Sequence, residues 1–172
     1  MNVHKLTLVA VLTASAIVIA ILESFIPSVG IPGIKLGLAN IVIVLTLYEV
    51  GIIEACFVSF TRVLIVALVR GTFLSMGFMM SLTGAILSLG IMIIFYLFLK
   101  KFSIIATSVV GSLFHVFGQI IIAMIYLGTA YVVYYLPIIS ISAIITGILV
   151  GILVQLIIRT GVIKKQREKY KF

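Results

Sequence analysis

The 172 residues contain no aspartate, one cysteine, two histidines and only four acidic side chains, all of them glutamate. Each shortage removes a class of chemistry. A lone Cys56 makes no internal disulfide and no thiolate metal cluster, and its place inside an apolar run marks a packed thiol. His4 and His115 stand far apart in the sequence, which argues against a zinc site. No GxxxxGK[ST] loop is present, so a nucleotide is not bound by that route. No serine, histidine and acid set suggests a nucleophilic triad. Charge is scarce too, at 9% of residues, and the longest polar stretch, 159–172, is too short to build a soluble core.

What is abundant is hydrocarbon. Hydrophobic residues make up 64% of the chain and mean hydropathy is +1.45. A membrane span needs ~20 mostly apolar residues, so the length accommodates five or six. The pattern predicts an all-α integral membrane protein, a single bundle of six transmembrane helices over 6–26, 34–49, 51–69, 78–99, 104–127 and 135–158, followed by a basic tail, 159–172. Lys5 and the apolar run after it look like the start of a signal peptide. The small-residue triplet Ala14-Ser15-Ala16 falls in the middle of that run, however, so it reads as a retained first helix.

The net charge of +8 would point to nucleic acid in a soluble protein. Here the basic residues sit at segment ends and report orientation instead. With both termini inside, nine of them (Lys5, Lys100, Lys101, Arg159 and five in the tail) face the cytoplasm, against Lys35 and Arg70 outside. The expected topology is therefore N-in/C-in across a cell membrane, with no nucleic-acid partner. The tail anchors that topology, and contact with anionic membrane lipid, ~1 kcal/mol per basic residue, is a second role open to it.

Against this background the few polar residues inside the membrane stand out. The re-entry between the first two runs, Pro27–Asn40, carries two prolines, three glycines, Lys35 and Asn40, with Glu23 just upstream. Arg62 falls near the middle of the third run, where a charge costs at least ~2.5 kcal/mol and must face protein or water. It either pairs with a glutamate on another span or fixes an anionic or carbonyl group of a ligand. Ser108, Ser112, His115, Gln119 and Tyr126 recur at helical spacing and predict one polar face on the fifth span, serving as interhelical glue or as the wall of a ligand or ion pathway. Lys35 and Arg70, the basic residues on the outer side, either snorkel to headgroups or draw in an anionic solute. Ala10/Ala14 and Ala16/Ala20 are spaced for close helix approach, inside the bundle or against another subunit.

PGIKLGLANIV at Pro32–Val42, RVL at Arg62–Leu64, SLTGAILSLGIM at Ser81–Met92 and FHVFGQ at Phe114–Gln119 resemble the Gx transporter family, also labelled heptaprenyl diphosphate synthase component I, across roughly residues 5–155. Val116 stands where the family pattern HNxGQ has asparagine. That family is similar in size and layout to the substrate-binding S components of energy-coupling factor (ECF) transporters. The resemblance implies capture of a small vitamin-like or isoprenoid- or quinone-related molecule at the outer face. It also implies a transmembrane coupling subunit and cytoplasmic ATPases as partners, no cofactor or metal, and no catalysis by the chain itself. It puts Lys35, Asn40, Arg62, Arg70, His115 and Gln119 on the substrate and Ala10, Ala14, Ala16 and Ala20 on the partner. The alternative is a non-catalytic membrane component beside a soluble prenyl synthase in menaquinone biosynthesis. The known chain-elongating enzymes hold magnesium diphosphate on DDxxD motifs, which a chain without aspartate lacks. A self-contained channel or secondary carrier is a third reading, and no inverted repeat in the hydrophobic pattern supports it.

Overall fold

In the computed structural model, residues 3–25, 37–98, 103–161 and 163 are described. Six α-helices follow in order: α1 (Val3–Glu23), α2 (Asn40–Glu49), α3 (Ile52–Val69), α4 (Met76–Phe98), α5 (Ile104–Leu127) and α6 (Leu136–Arg159). A 3-10 turn, Ala130–Tyr135, leads into α6. All but α2 are long and apolar enough to cross a membrane. Exposed Ile141, Ile145, Leu149 and Leu156 on α6, like Leu68 and Val69 on α3, would be an aggregation hazard in water and are ordinary against lipid. The chain is an all-helical, multi-pass membrane protein.

The second segment differs most from expectation. The predicted span 34–49 is helical from Asn40 onward, 10 residues in all, or ~15 Å of a bilayer core about 30 Å thick. Residues 34–36 lie outside the described part, and Gly37, Leu38 and Ala39 form a turn. Gly37 has φ +83°, a left-handed conformation that glycine adopts without a steric penalty. Elsewhere the boundaries have local causes. The hydroxyl of Ser103 accepts from the Ala106 amide and caps α5 at its start, and left-handed Gly128 ends it. Pro137 sits in the first turn of α6, where its missing N–H costs nothing. The span expected from residue 78 is already helix from Met76.

Lys5 on α1 and Glu54 on α3 form an ion pair, so these two helices start at the same end of the bundle. Glu23 and Arg70, at their other ends, therefore share the opposite side. α5 packs most extensively, on α4 and on α6. These contacts are backbone-close because glycine lines both seams. A Cβ on Gly118 would lie 2.8 Å from the Cα of Gly84, one on Gly147 2.7 Å from the Cα of Val109, and one on Gly151 2.6 Å from the Cα of Ile105. In lipid, where hydrophobicity does not drive helix association, such packing is a main source of cohesion.

Gly118→Ala is expected to destabilise the protein by about 1–3 kcal/mol through overpacking, because its neighbour is backbone and cannot rotate away. Gly90→Ala, facing open space on α4, is the control and should cost nothing. Thermal unfolding of both variants in detergent micelles tests this, and equal melting temperatures would refute the packing argument.

Candidate functional site

The buried stripe of α1 runs Val9, Leu12, Thr13, Ala16, Ala20 and ends on Glu23. Glu23 is only 5% exposed. Its carboxylate accepts the backbone N–H of Gly37, tying the end of α1 to the turn that begins α2. The Gly37 carbonyl in turn accepts the Asn40 amide at 2.9 Å. The left-handed glycine, the buried carboxylate and the start of α2 therefore depend on one another.

On α3, Arg62, Val66 and Arg70 recur every fourth residue and so share a face. All three line a cavity of about 90 Å³, together with Glu23 and Gly37, Phe78 and Ser81 from the first turns of α4, and His115 from α5. Arg62 is 6% exposed, whereas Arg70 is exposed. Among the described residues Arg62 makes no ion pair, and Glu23 is the acid that shares the cavity lining with it. The cavity thus has a buried cation at its floor, a buried anion in its wall, a second cation on the exposed turn of α3, and an apolar midsection of Val63, Val66, Ala67 and Phe78.

A polar cluster adjoins it. Asn40, which opens α2, is 3% exposed, and the position of a Gly37 Cβ would be 3.3 Å from its Nδ2 and 3.9 Å from His115 Cδ2, so the three residues are neighbours. Gln119 Nε2 lies 3.2 Å from His115 Nε2. When that amide nitrogen donates, the ring accepts on Nε2 and is the neutral tautomer with its proton on Nδ1. Asn40 Nδ2 and Gln119 Oε1 are buried without a hydrogen-bond partner among the described residues. Leaving such a group unmet costs ~1–3 kcal/mol, which a water or a ligand atom recovers. Ser88, Ser108 and Ser112 extend the buried polar column toward the other end of the bundle, where Thr107 and Tyr48 are hydrogen-bonded at 2.8 Å.

The structure brings Arg62, Arg70 and His115 onto one cavity and sets Asn40 and Gln119 beside His115. Lys35 lies outside the described residues. Ser108, Ser112, His115 and Gln119 are all buried on one face of α5, but Tyr126, at the exposed end of the helix, is 51% exposed. The alanine pairs on α1 separate. Ala10 and Ala14 are exposed, while Ala16 and Ala20 are buried in the bundle and so do not face a partner. The sequence reading of site residues omitted Glu23, Gly37, Phe78 and Ser81. A usable signal existed for Glu23. It is one of four acids, it ends an apolar run, and Arg62 requires a counter-charge.

A family model described as heptaprenyl diphosphate synthase component I matches residues 12–157. The chain belongs to that family. No curated protein and no solved structure matches it.

The Arg62–Glu23 coupling predicts a double-mutant cycle. Arg62→Gln or Glu23→Gln alone leaves one buried charge uncompensated and should cost several kcal/mol, whereas the pair of changes together should recover most of the loss. Thermal unfolding of the three variants checks it. Additive losses would mean the two charges do not sense each other.

Proposed function

We propose that this chain, a member of the heptaprenyl diphosphate synthase component I family, is the substrate-binding membrane subunit of an ECF-type importer. It takes up a small vitamin-like or isoprenoid- or quinone-related molecule at the outer face of the cell membrane. The observation that supports this is the cavity itself. Arg62 is a buried cation facing a cavity at the end of the bundle where α1 closes on α2 and α3 turns into α4. With the N-in/C-in orientation argued from the basic residues, that end is the outer one. A charge so costly to insert is retained for a role, and a polar group on a ligand gives it one.

In this reading the chain does no covalent chemistry. It binds, and a coupling subunit with cytoplasmic ATPases drives release. Docking falls to the exposed ridge of α1 that includes Ala10 and Ala14, whose small side chains let another helix approach closely. The family description favours a second reading, a membrane component of a prenyl diphosphate synthase. Without aspartate the chain would serve there as an accessory beside a soluble catalytic subunit.

Affinity purification from the native membrane distinguishes the two. The transporter reading expects a transmembrane coupling protein and two ATPases to copurify, and Ala10→Leu with Ala14→Leu should remove them while the helices stay folded. Recovery of a soluble prenyl synthase in their place would overturn it in favour of the accessory role.

A further inference from the structure

The charges around the cavity specify more than a generic solute. Among the described residues its lining carries two cations, Arg62 and Arg70, and one anion, Glu23, which leaves a surplus of one positive charge. Glu23 already accepts the Gly37 amide on one carboxylate oxygen, and its charge offsets one of the two cations. Arg62 is more than nine-tenths buried and faces the cavity without an ion-pair partner within reach among the described residues. A planar guanidinium there matches a carboxylate, which it holds by two parallel hydrogen bonds.

Shape narrows the class further. Arg62 and Arg70, both on the cavity's lining, stand eight residues apart on one helix face, ~12 Å of helix rise at 1.5 Å per residue. The cavity itself is small, about 90 Å³. Its middle is apolar, so the body of the ligand meets Val63, Val66, Ala67 and Phe78. No group of three His, Cys, Asp or Glu able to hold a metal ion occurs among the described residues, so these residues offer no cage for the divalent cation that a diphosphate carries.

We propose that the cavity binds a small amphiphilic monocarboxylate, with its carboxylate on Arg62 and its hydrocarbon body against α3 and Phe78. Glu23 is a positioning residue that sets the charge preference. By cancelling one of the two cations it makes the site fit a monoanion better than a phosphate monoester, which carries about −1.5 to −2 at pH 7. The inference rests on reading this cavity as the substrate site. The carboxylate itself comes from one of two sources, a dissolved solute or a free fatty acid in the bilayer.

Calorimetric titration of the purified protein in detergent micelles tests it with four matched probes, hexanoate, hexanamide, hexylammonium and hexyl phosphate, and with dodecanoate. Hexanoate should bind at least tenfold more tightly than the amide, the ammonium or the phosphate. Arg62→Gln should lose at least tenfold of hexanoate affinity. Glu23→Gln should shift the preference toward hexyl phosphate by a similar factor. If a single-charge variant does not fold, the charge-balanced Arg62→Gln/Glu23→Gln protein replaces it and should bind none of the anions. Tighter binding of hexanoate than dodecanoate supports a dissolved solute, and the reverse supports a bilayer fatty acid, within the same class. Equal binding of hexanamide and hexanoate, undiminished in Arg62→Gln, would overturn the carboxylate assignment while keeping a ligand site. An unchanged preference in Glu23→Gln would overturn the role given to that residue. Binding of no probe would overturn both the assignment and the reading of the cavity as a substrate site.

Discussion

Arg62 does not lose its proton in a protein, so its charge has to be accommodated wherever the helix carries it. Within the hydrocarbon span of α3 that means turning inward, toward a counter-charge and toward whatever polar space the bundle leaves open. The rest of this half of the bundle follows from this. Glu23, at the end of α1, supplies the opposing charge. Its carboxylate takes the Gly37 N–H, and Gly37 in its left-handed conformation sets up the turn on which α2 begins at Asn40. One buried cation thus links three helices, through electrostatics on one side and a backbone hydrogen bond on the other. Removing either charge leaves the other buried without its counter-charge.

α5 provides the second constraint. It is the helix against which α4 and α6 both lean, and at each close approach glycine stands on at least one side of the seam. Gly84 meets Gly118 on one seam, and Gly147 and Gly151 meet Val109 and Ile105 on the other. The same compact packing holds His115 and Gln119 in fixed positions, since a Cβ on Gly84 would be only 3.0 Å from the His115 ring. A side chain so confined has little conformational freedom left to lose. The price is a set of buried hydroxyl and amide atoms without partners among the described residues, several of them along the same helix face.

Much of this was legible beforehand. Runs of apolar residues long enough to span a bilayer defined the helices of the bundle, because in lipid the backbone has to satisfy its hydrogen bonds within the helix. The spacing of Ser108, Ser112, His115 and Gln119 marked the inner face of α5, since helical periodicity turns a stripe in sequence into a face in space. Tyr126 has the same spacing but lies at the exposed end of the helix, where periodicity does not distinguish interior from surface. The alanines of α1 show the same limit. Both pairs have i, i+4 spacing, yet Ala16 and Ala20 pack inward while Ala10 and Ala14 face out.

The amino-acid sequence by itself determined the class of the molecule, the order of its helices and the presence of a cation that had to be buried. These depend on composition and on short-range periods, which neighbours in sequence fully define. Only the tertiary structure decided that Glu23 answers Arg62, that the Gly37 N–H donates to the Glu23 carboxylate, and that α2 is no more than half a span. Those facts arise from residues far apart in the chain meeting across α1, α2 and α3, which no short-range period in the sequence specifies.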